Sequence, residues 1–358
     1  MTTFLPLAGQ QEKALENCAY CPKLCRAVCP VSEADRRETL TPWGKMSLTW
    51  MVSRGQVQAD AETAAVAWAC TGCLSCRDHC DHENPVAVTL AAARADYFAR
   101  GLAPAAAQRS AERFAANAVR VKNAVRSLAP GASVDPESRI GLVVGCSYLL
   151  KAPEVAAAAV RVAAALLGPV RVVDACCGLP LLQAGDREGL GRARAAFEEA
   201  TRGTSRLVAV DAGCAHFLQA SHAEPLVALV EQRLERLRPG VELQHDGPVR
   251  YHDPCHLGRG LGLYEEPRRI LKHLLGREPE EFPRSRRDAV CSGGGGLVPE
   301  TAPATSEGMA RRRLEEHREA GGGLVVTACG ESLARFGASG AQVMDLMTLV
   351  DRALDATP

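Results

Sequence analysis

The chain has 358 residues with 42 basic and 42 acidic side chains, so its formal net charge is zero. Apolar residues make up 47% and charged residues 23%, a balance that excludes a largely disordered chain. A neutral chain with only 4% aromatic residues lacks the basic surface and the stacking platforms of nucleic-acid-binding proteins, and we expect no nucleic-acid partner. The 15 cysteines are the unusual feature.

Neither a targeting signal nor a membrane-spanning segment is predicted. Residues Met1–Cys18 have no basic cluster followed by an apolar run, and the Ala-rich stretch Pro153–Val173 carries Glu154, Arg161 and Arg171. We therefore expect a cytoplasmic protein without a transmembrane segment, either free or peripheral to the inner face of the membrane through a partner. Clustered cysteines in a reducing compartment usually bind metal.

The first region, residues 1–127, predicts helices and no strands. Thr41 followed by Pro42 is a typical helix start, because proline is tolerated at the first helical position. Further helices are expected over 62–69, 86–103 and 105–128. The segment 129–139 contains Pro130, Gly131 and Pro136 and is the predicted domain boundary.

Two later regions, 139–240 and 245–358, each predict strands that alternate with helices, which is typical of a parallel sheet covered by helices. The predicted strands are 140–144, 170–173, 206–210, 249–252, 289–290 and 324–327. The predicted helices are 153–167, 186–201, 267–275 and 306–320. The same gap of 36 residues separates Cys177 from Cys214 and Ser292 from Cys329, which indicates a duplication.

Two runs of four cysteines in the first region predict two [4Fe-4S] clusters. The runs are Cys18, Cys21, Cys25, Cys29 and Cys70, Cys73, Cys76, Cys80. In proteins with two such clusters the last cysteine of each run binds the other cluster. We accordingly assign Cys18, Cys21, Cys25 and Cys80 to cluster one, and Cys70, Cys73, Cys76 and Cys29 to cluster two. One or two zinc sites are the alternative, although zinc sites typically use pairs of cysteines.

Seven further cysteines are predicted to follow strand ends, where ligands collect in parallel sheets. They are Cys146, Cys176, Cys177 and Cys214 in the second region, and Cys255, Cys291 and Cys329 in the third. The run Gly293–Gly296 is expected to allow close backbone approach, with N–H groups directed at sulfur or another anion.

These motifs resemble a known family. Asp174–Gly178, Tyr251–Arg259 and Cys291–Gly296 are similar to the paired cysteine-rich "CCG" domains, and the preceding cysteine runs resemble the arrangement in iron–sulfur subunits of heterodisulfide reductase, glycolate oxidase and anaerobic glycerol-3-phosphate dehydrogenase. The resemblance implies an α + α/β protein, with an all-helical two-cluster ferredoxin domain (1–127) and two related α/β CCG domains with parallel sheets (139–240 and 245–358). It also implies electron transfer from a flavin-containing subunit toward a quinone or a disulfide.

The full CCG motif of heterodisulfide reductases has five cysteines per site and binds a non-cubane cluster, and this sequence departs from it. Phe217, Ser292 and Ser332 stand where further cysteines would be. An additional iron–sulfur or zinc centre is left open at both sites, with His252, Asp253 or His256 as a fourth ligand in the third region. The alternatives are buried, inert cysteines, or a reactive Cys176–Cys177 pair whose pKa is lowered by helix N-termini.

Three functions are therefore considered. The first is an electron-transfer subunit of a flavin-linked dehydrogenase, which is not catalytic on an organic substrate alone. The second is a heterodisulfide-reductase-like catalytic subunit. The third is a redox or metal sensor, which no nucleic-acid motif supports.

Overall fold

The computed structural model describes residues 4–128, 133–241, 243, 245 and 247–354. Residues 129–132 of the predicted boundary segment lie outside the described residues. Within the part described, no helix is both long and apolar enough to cross a bilayer.

Helices fill the first region, as predicted. They are α1 (Pro6–Gly9), α2 (Glu12–Ala19), α3 (Pro30–Asp35), α4 (Pro42–Ser53), α5 (Ala61–Trp68), α6 (Ser75–Asp78), α7 (Val86–Ala99), α8 (Ala105–Glu112) and α9 (Phe114–Leu128), with short 3-10 helices at Leu24–Val28 and Glu38–Leu40. The Thr41 hydroxyl accepts a hydrogen bond from the Gly44 amide at 3.0 Å, so α4 starts as the Thr-Pro signal predicted. Because α5 also begins with a capping box at Asp60 and Thr63, the helical part is defined largely by local signals.

The rest of the chain alternates strands with helices. The strands are β1 (Ile140–Val143), β2 (Arg171–Val172), β3 (Arg206–Ala209), β4 (Glu224–Pro225), β5 (Val249–Tyr251), β6 (Glu280–Glu281), β7 (Leu324–Thr327) and β8 (Val343–Asp345). The helices are α10 (Cys146–Lys151), α11 (Pro153–Leu167), α12 (Leu179–Ala184), α13 (Arg187–Ala200), α14 (Ala212–Phe217), α15 (Leu226–Glu231), α16 (Glu265–Leu275), α17 (Val298–Thr301), α18 (Pro303–Glu319), α19 (Gly330–Ala338) and α20 (Leu346–Ala353). Shorter turns are 3-10 helices at Gln219–Ser221, Leu234–Arg236 and Arg286–Asp288, and a π-helix at His256–Gly260.

The two sheets have the same topology. Their strand orders are β2-β1-β3-β4 and β6-β5-β7-β8, and every pair of neighbouring strands is parallel. The repeated order is the structural counterpart of the repeated cysteine spacing. The predicted parallel sheets are therefore confirmed.

The strand predicted at residues 289–290 is wrong. The second strand of that sheet is Glu280–Glu281, which pairs with β5 and has no apolar pattern to reveal it. The carbonyl groups of Arg287 and Ala289 instead accept hydrogen bonds from the Arg259 guanidinium, at 3.0 and 2.7 Å. Because the Arg259 side chain satisfies the hydrogen-bonding capacity of these carbonyls, they do not need to pair with a neighbouring strand. Cys291 consequently does not follow a strand end.

The chain packs as two units. The first contains residues 1–115, 178–192 and 290–313, and the second contains 116–177, 193–289 and 314–358. The core of the first unit surrounds the fully buried Trp68. In the second unit one core includes residues of both sheets, such as Leu142 and Val326.

Two buried aspartates join the repeats inside the second unit. Asp211 accepts hydrogen bonds from the amides of Gly213 in α14 and Gly330 in α19, at 2.9 and 3.0 Å. Tyr148 donates to Asp345 at 2.5 Å, and Asp345 also caps α20. Burial raises the pKa of Asp345 to about 7, against the lowering effect of the Tyr148 hydrogen bond.

Candidate metal centres

A cavity of about 130 Å³ in the first unit is lined by cysteines from both runs. Its cysteines are Cys18, Cys21, Cys25, Cys76 and Cys80. Cys18 lies in the last turn of α2 and Cys25 in the following 3-10 helix, so a short loop brings three thiols of the first run to one wall. Cys80 comes from the segment after α6.

Asn84 positions the Cys18 thiol in this first cavity. Its side-chain amide donates to the Cys18 sulfur and to the Ala14 carbonyl, each at 2.8 Å, and Asn84 is only 3% exposed. Burial raises the pKa of the Cys18 thiol to about 12, Asn84 lowers it, and the thiolates of Cys25, Cys80 and Cys21 raise it further. Four thiolates could share this space only with a compensating cation.

A second, narrower cavity of about 20 Å³ is lined by Cys29, Cys70 and Cys73 together with Cys76, which also lines the first cavity. Burial raises the pKa of Cys76 well above its usual range, and Cys70, Cys73 and Cys29 add to the shift. The Gly72 amide donates a hydrogen bond to the Cys70 sulfur at 3.4 Å.

Lys45 is a buried cation in the second cavity that sequence analysis missed. It is 1% exposed on α4, and its ammonium nitrogen lies 3.6 Å from the Cys29 sulfur. Burial alone lowers the pKa of Lys45, but the thiolates of Cys29, Cys70, Cys76 and Cys73 more than offset this effect and raise it. The available signal was that Lys45 is the one charged residue of α4.

Arg94 and the glycine run hold the loop that carries Cys70. The Arg94 guanidinium, buried in the first unit, donates to the carbonyls of Ala67, Cys70 and Gly296 at 2.9, 2.6 and 3.3 Å. A Cβ at Gly296 would clash with the Cys70 carbonyl, and one at Gly295 would lie 2.6 Å from the Thr71 carbonyl. The predicted close backbone approach of the glycine run is therefore confirmed.

The glycine run also supplies the predicted N–H group near sulfur. The Gly293 amide donates to the Cys291 sulfur at 3.4 Å. Gly293 has a φ of +90°, a conformation that glycine adopts without strain.

The four cysteines of the second region gather in the second unit. The sulfur atoms of Cys177 and Cys214 lie 3.8 Å apart, and Cys176 hydrogen bonds to both Cys146 and Cys177. Hydrogen bonds to Cys176 and Cys214, together with burial, raise the pKa of Cys177 well above its usual range. The alternative of a reactive pair whose pKa is lowered by helix N-termini is not favoured at Cys177, because each neighbouring thiol disfavours its ionisation.

The cysteines of the third region are divided between the units. Cys255 and Cys329 belong to the second unit and Cys291 to the first. Burial raises the pKa of Cys329 to about 12, Asp211 raises it further, and hydrogen bonds from Ser332 lower it. Ser332 also lies 3.4 Å from the His252 ring nitrogen.

Of the proposed fourth ligands, Asp253 is already engaged. Its carboxylate accepts two hydrogen bonds from Arg268, at 2.7 and 2.9 Å, and one from the Arg286 amide. His252 is 1% exposed, and His256 packs against His216 with ring centroids 5.0 Å apart. Over residues 4–128, 133–241, 243, 245 and 247–354, no group of three or more Cys, His, Asp or Glu side chains has the arrangement needed for a single metal ion.

Family models match these regions of cysteines. The model described as "Cysteine-rich domain" (CCG) matches residues 140–219 and 249–334, and the model described as "4Fe-4S dicluster domain" matches residues 14–84. The chain belongs to the CCG-domain iron–sulfur oxidoreductases. The dicluster match of this CCG-domain protein includes all eight cysteines of the two runs, and the CCG matches include the other seven.

Similar proteins include several reductase subunits. A subunit of the "Fumarate reductase (CoM/CoB)" of Methanothermobacter marburgensis is 28% identical over 96% of this chain and 73% of its own length. A subunit of the "Dihydromethanophenazine:CoB--CoM heterodisulfide reductase" of Methanosarcina barkeri is 36% identical over 23% of this chain and 20% of its own length. An iron–sulfur subunit of the "Hdr-like menaquinol oxidoreductase" of Archaeoglobus fulgidus is 32% identical over 24% of this chain and 17% of its own length.

Proposed function

We propose that this CCG-domain protein is the electron-transfer subunit of a flavin-linked oxidoreductase complex. Cys18, Cys21, Cys25 and Cys80 hold one [4Fe-4S] cluster, and Cys29, Cys70, Cys73 and Cys76 hold the other. The protein passes electrons from a flavin-containing subunit toward a quinone or disulfide acceptor. It acts in the cytoplasm, where its partner can bring it to the membrane, and its three domains span 1–127, 139–240 and 245–358.

The grouping of the cysteines by cavity carries this proposal. The first cavity contains all four cysteines assigned to cluster one, and the second contains all four assigned to cluster two. The exchange of Cys29 and Cys80 between the runs was inferred from the sequence and from the rule for two-cluster proteins, so the cavities support it independently. Cys76 and Val86 line both cavities. The two cavities are therefore neighbours, and clusters bound in them would give a short electron path.

The charges around both cavities suit a cationic iron core. Burial raises the pKa of Cys18 and Cys76, and their neighbouring thiolates raise it further, so each set repels itself when ionised. When bound, a cubane cluster accepts and returns one electron at a potential set by local charge and hydrogen bonds to sulfur. Asn84, the Gly72 amide and Lys45 are the groups that supply those hydrogen bonds and that charge.

The names of the relatives support a partner. The similar proteins of M. marburgensis and M. barkeri are named as subunits of a fumarate reductase and a heterodisulfide reductase. We extend that arrangement to this chain, whose flavin partner and acceptor are part of the proposal.

Metal analysis of protein purified without oxygen tests the proposal. We expect about eight irons and about eight sulfides per chain from two cubanes, two interacting EPR signals on reduction, and no oxidation of organic substrates without a flavoprotein. Additional iron or zinc would show occupied CCG sites. Folded protein without iron, or substrate oxidation by the isolated chain, would contradict it.

Replacing Lys45 with glutamine is expected to lower the reduction potential of cluster two. The Lys45 ammonium lies 3.6 Å from the Cys29 sulfur, and a cation at that position stabilises the negative charge that reduction adds. An EPR-monitored redox titration measures the change. Lys13→Gln removes the same charge from an exposed position of α2 and should leave the potential nearly unchanged. Equal potentials in the parent protein and both variants would exclude this role for Lys45.

Disulfide reduction at the CCG site is a second candidate function. The 3.8 Å separation of the Cys177 and Cys214 sulfurs favours it, because two thiols in contact can close a disulfide with modest movement. Cys177→Ser should abolish thiol–disulfide activity while both ferredoxin-type EPR signals persist. Cys255→Ser is the control in the same unit. Activity that survives Cys177→Ser would exclude this function.

A further inference from the structure

An open cavity of about 720 Å³ lies on the surface of the first unit and is lined mostly by charged and polar side chains. Its basic residues, here called the basic face, are Lys23, Arg26, Arg36 and Arg37. Arg26 and Arg37 have side chains that are 67% and 66% exposed, and Arg36 is also exposed. The basic face therefore presents its charges to solvent.

The positive charges of the basic face are only partly neutralised. Glu38 is shared between Lys23, at 3.6 Å, and Arg26, at 3.3 Å. Arg36, held in a left-handed conformation with φ of +63°, forms no ion pair with any residue that the structure describes. Arg37 pairs with Asp35, and Glu33 of the same cavity pairs with Arg312 outside it. The shared Glu38 and the unpaired Arg36 therefore leave an excess of positive charge.

The basic face adjoins the first cysteine cavity. Leu24 lines both cavities, and its neighbour Cys25 is one of the cysteines of cluster one. Leu24 is 70% exposed, and Tyr20, between Cys18 and Cys21, is 78% exposed. Leu24 is thus a large exposed side chain in the lining shared by the two cavities, and Tyr20 is a second one next in sequence to Cys21 of cluster one.

We propose that the basic face, together with Leu24 and Tyr20, is the docking surface for an acidic redox protein that exchanges electrons at cluster one. The inference rests on the proposed electron-transfer function. It adds where on this chain the partner binds and which charge the partner's surface carries. Pockets for small molecules are mostly apolar with a few buried polar groups, whereas this cavity is lined by exposed charges. Exposed aromatic and arginine residues with complementary charge are typical of transient protein interfaces.

Cross-linking to an acidic flavodoxin tests the position of the surface without relying on activity. Carbodiimide joins a lysine amine directly to a carboxylate in contact with it. The chain has six lysines: Lys13, Lys23, Lys45, Lys122, Lys151 and Lys272. We expect the cross-links to map to Lys23. We also expect them to be lost at high salt, because salt screens the attraction between exposed charges. Cross-links only at the other lysines would overturn the proposal.

Charge reversal on the basic face supplies the second measurement. Arg26→Glu with Arg36→Glu should lower the rate at which flavodoxin hydroquinone bleaches the clusters about tenfold at low salt, since steering by charge changes association rates by this order. Arg109→Glu with Arg126→Glu makes the same change of net charge at exposed positions outside the cavity and should have less than about a twofold effect.

The outcomes separate this proposal from the proposed function. Normal iron content with equal rates in both double variants would overturn the docking surface and leave electron transfer intact. The proposal would also be overturned if Arg26→Glu with Arg36→Glu slowed oxidation of the clusters by the small anion ferricyanide but did not slow their reduction by flavodoxin. The basic face would then bind small anions and not a protein. Protein without iron would contradict the proposed function. The positions of the cross-links would still show whether the basic face is the docking surface.

Discussion

Cys80→Ser is expected to remove the cluster of the first cysteine run and to leave the cluster of its own run in place. Cys80 belongs to the second run in the sequence but lines the cavity of Cys18, Cys21 and Cys25. A cluster that loses one of four thiolates is destabilised or loses iron. Iron content should fall by about four per chain, and the EPR signal of one cluster should disappear.

The reciprocal variant, Cys29→Ser, should remove the other cluster. Cys29 belongs to the first run and lies with Cys70, Cys73 and Cys76. Comparison with Cys21→Ser and Cys73→Ser identifies which signal belongs to which cavity, since Cys80→Ser should match Cys21→Ser and Cys29→Ser should match Cys73→Ser. The opposite matching would show that each run holds its own cluster.

Gly296→Ala is expected to destabilise the first unit by about 2 to 4 kcal/mol and to reduce occupancy of cluster two. Gly296 has a φ of +66°, and its Cβ would clash with the Cys70 carbonyl. The Cys70 carbonyl also accepts a hydrogen bond from the Arg94 guanidinium at 2.6 Å. The Cys70 loop therefore cannot move away from a new methyl group without breaking that buried hydrogen bond. Thermal unfolding and iron content measure the two effects.

Gly101→Ala separates backbone strain from the clash. Gly101 has a φ of +70°, close to that of Gly296, but a Cβ there meets nothing within 4 Å. We expect it to cost about 1 kcal/mol and to leave iron content unchanged. If both variants behaved alike, the contact between Gly296 and the Cys70 loop would have no structural importance.

Much of the fold could be predicted because its signals are local. The helix predicted over 153–167 and the strand predicted over 324–327 have the same bounds in the structure. The strands β4, β6 and β8 were missed because they are only two or three residues long, and β4 and β6 also lack an apolar pattern. Pro225 in β4 and two glutamates in β6 even argue against strands.

The cysteines could be identified from spacing, whereas the groups around them could not. Lys45, Asn84 and Arg94 act through contacts across 16, 66 and 24 residues of sequence, and no spacing rule links them to a cysteine. The placement of Cys291 was also missed, since the predicted strand before it was wrong. Tertiary contacts of this kind form only when helices from distant parts of the chain are packed together.

The interleaving of the two units bears on how the protein is made. Residues 290–313 belong to the first unit, and Gly295 and Gly296 in that segment pack on Thr71 and Cys70. A ribosome must therefore complete most of the chain before the loop of Cys70 acquires its final support. Under the proposed assignment of Cys70 to cluster two, we therefore expect stable loading of iron at that loop to be a late event in biosynthesis, with the thiols of the nascent chain kept reduced until then.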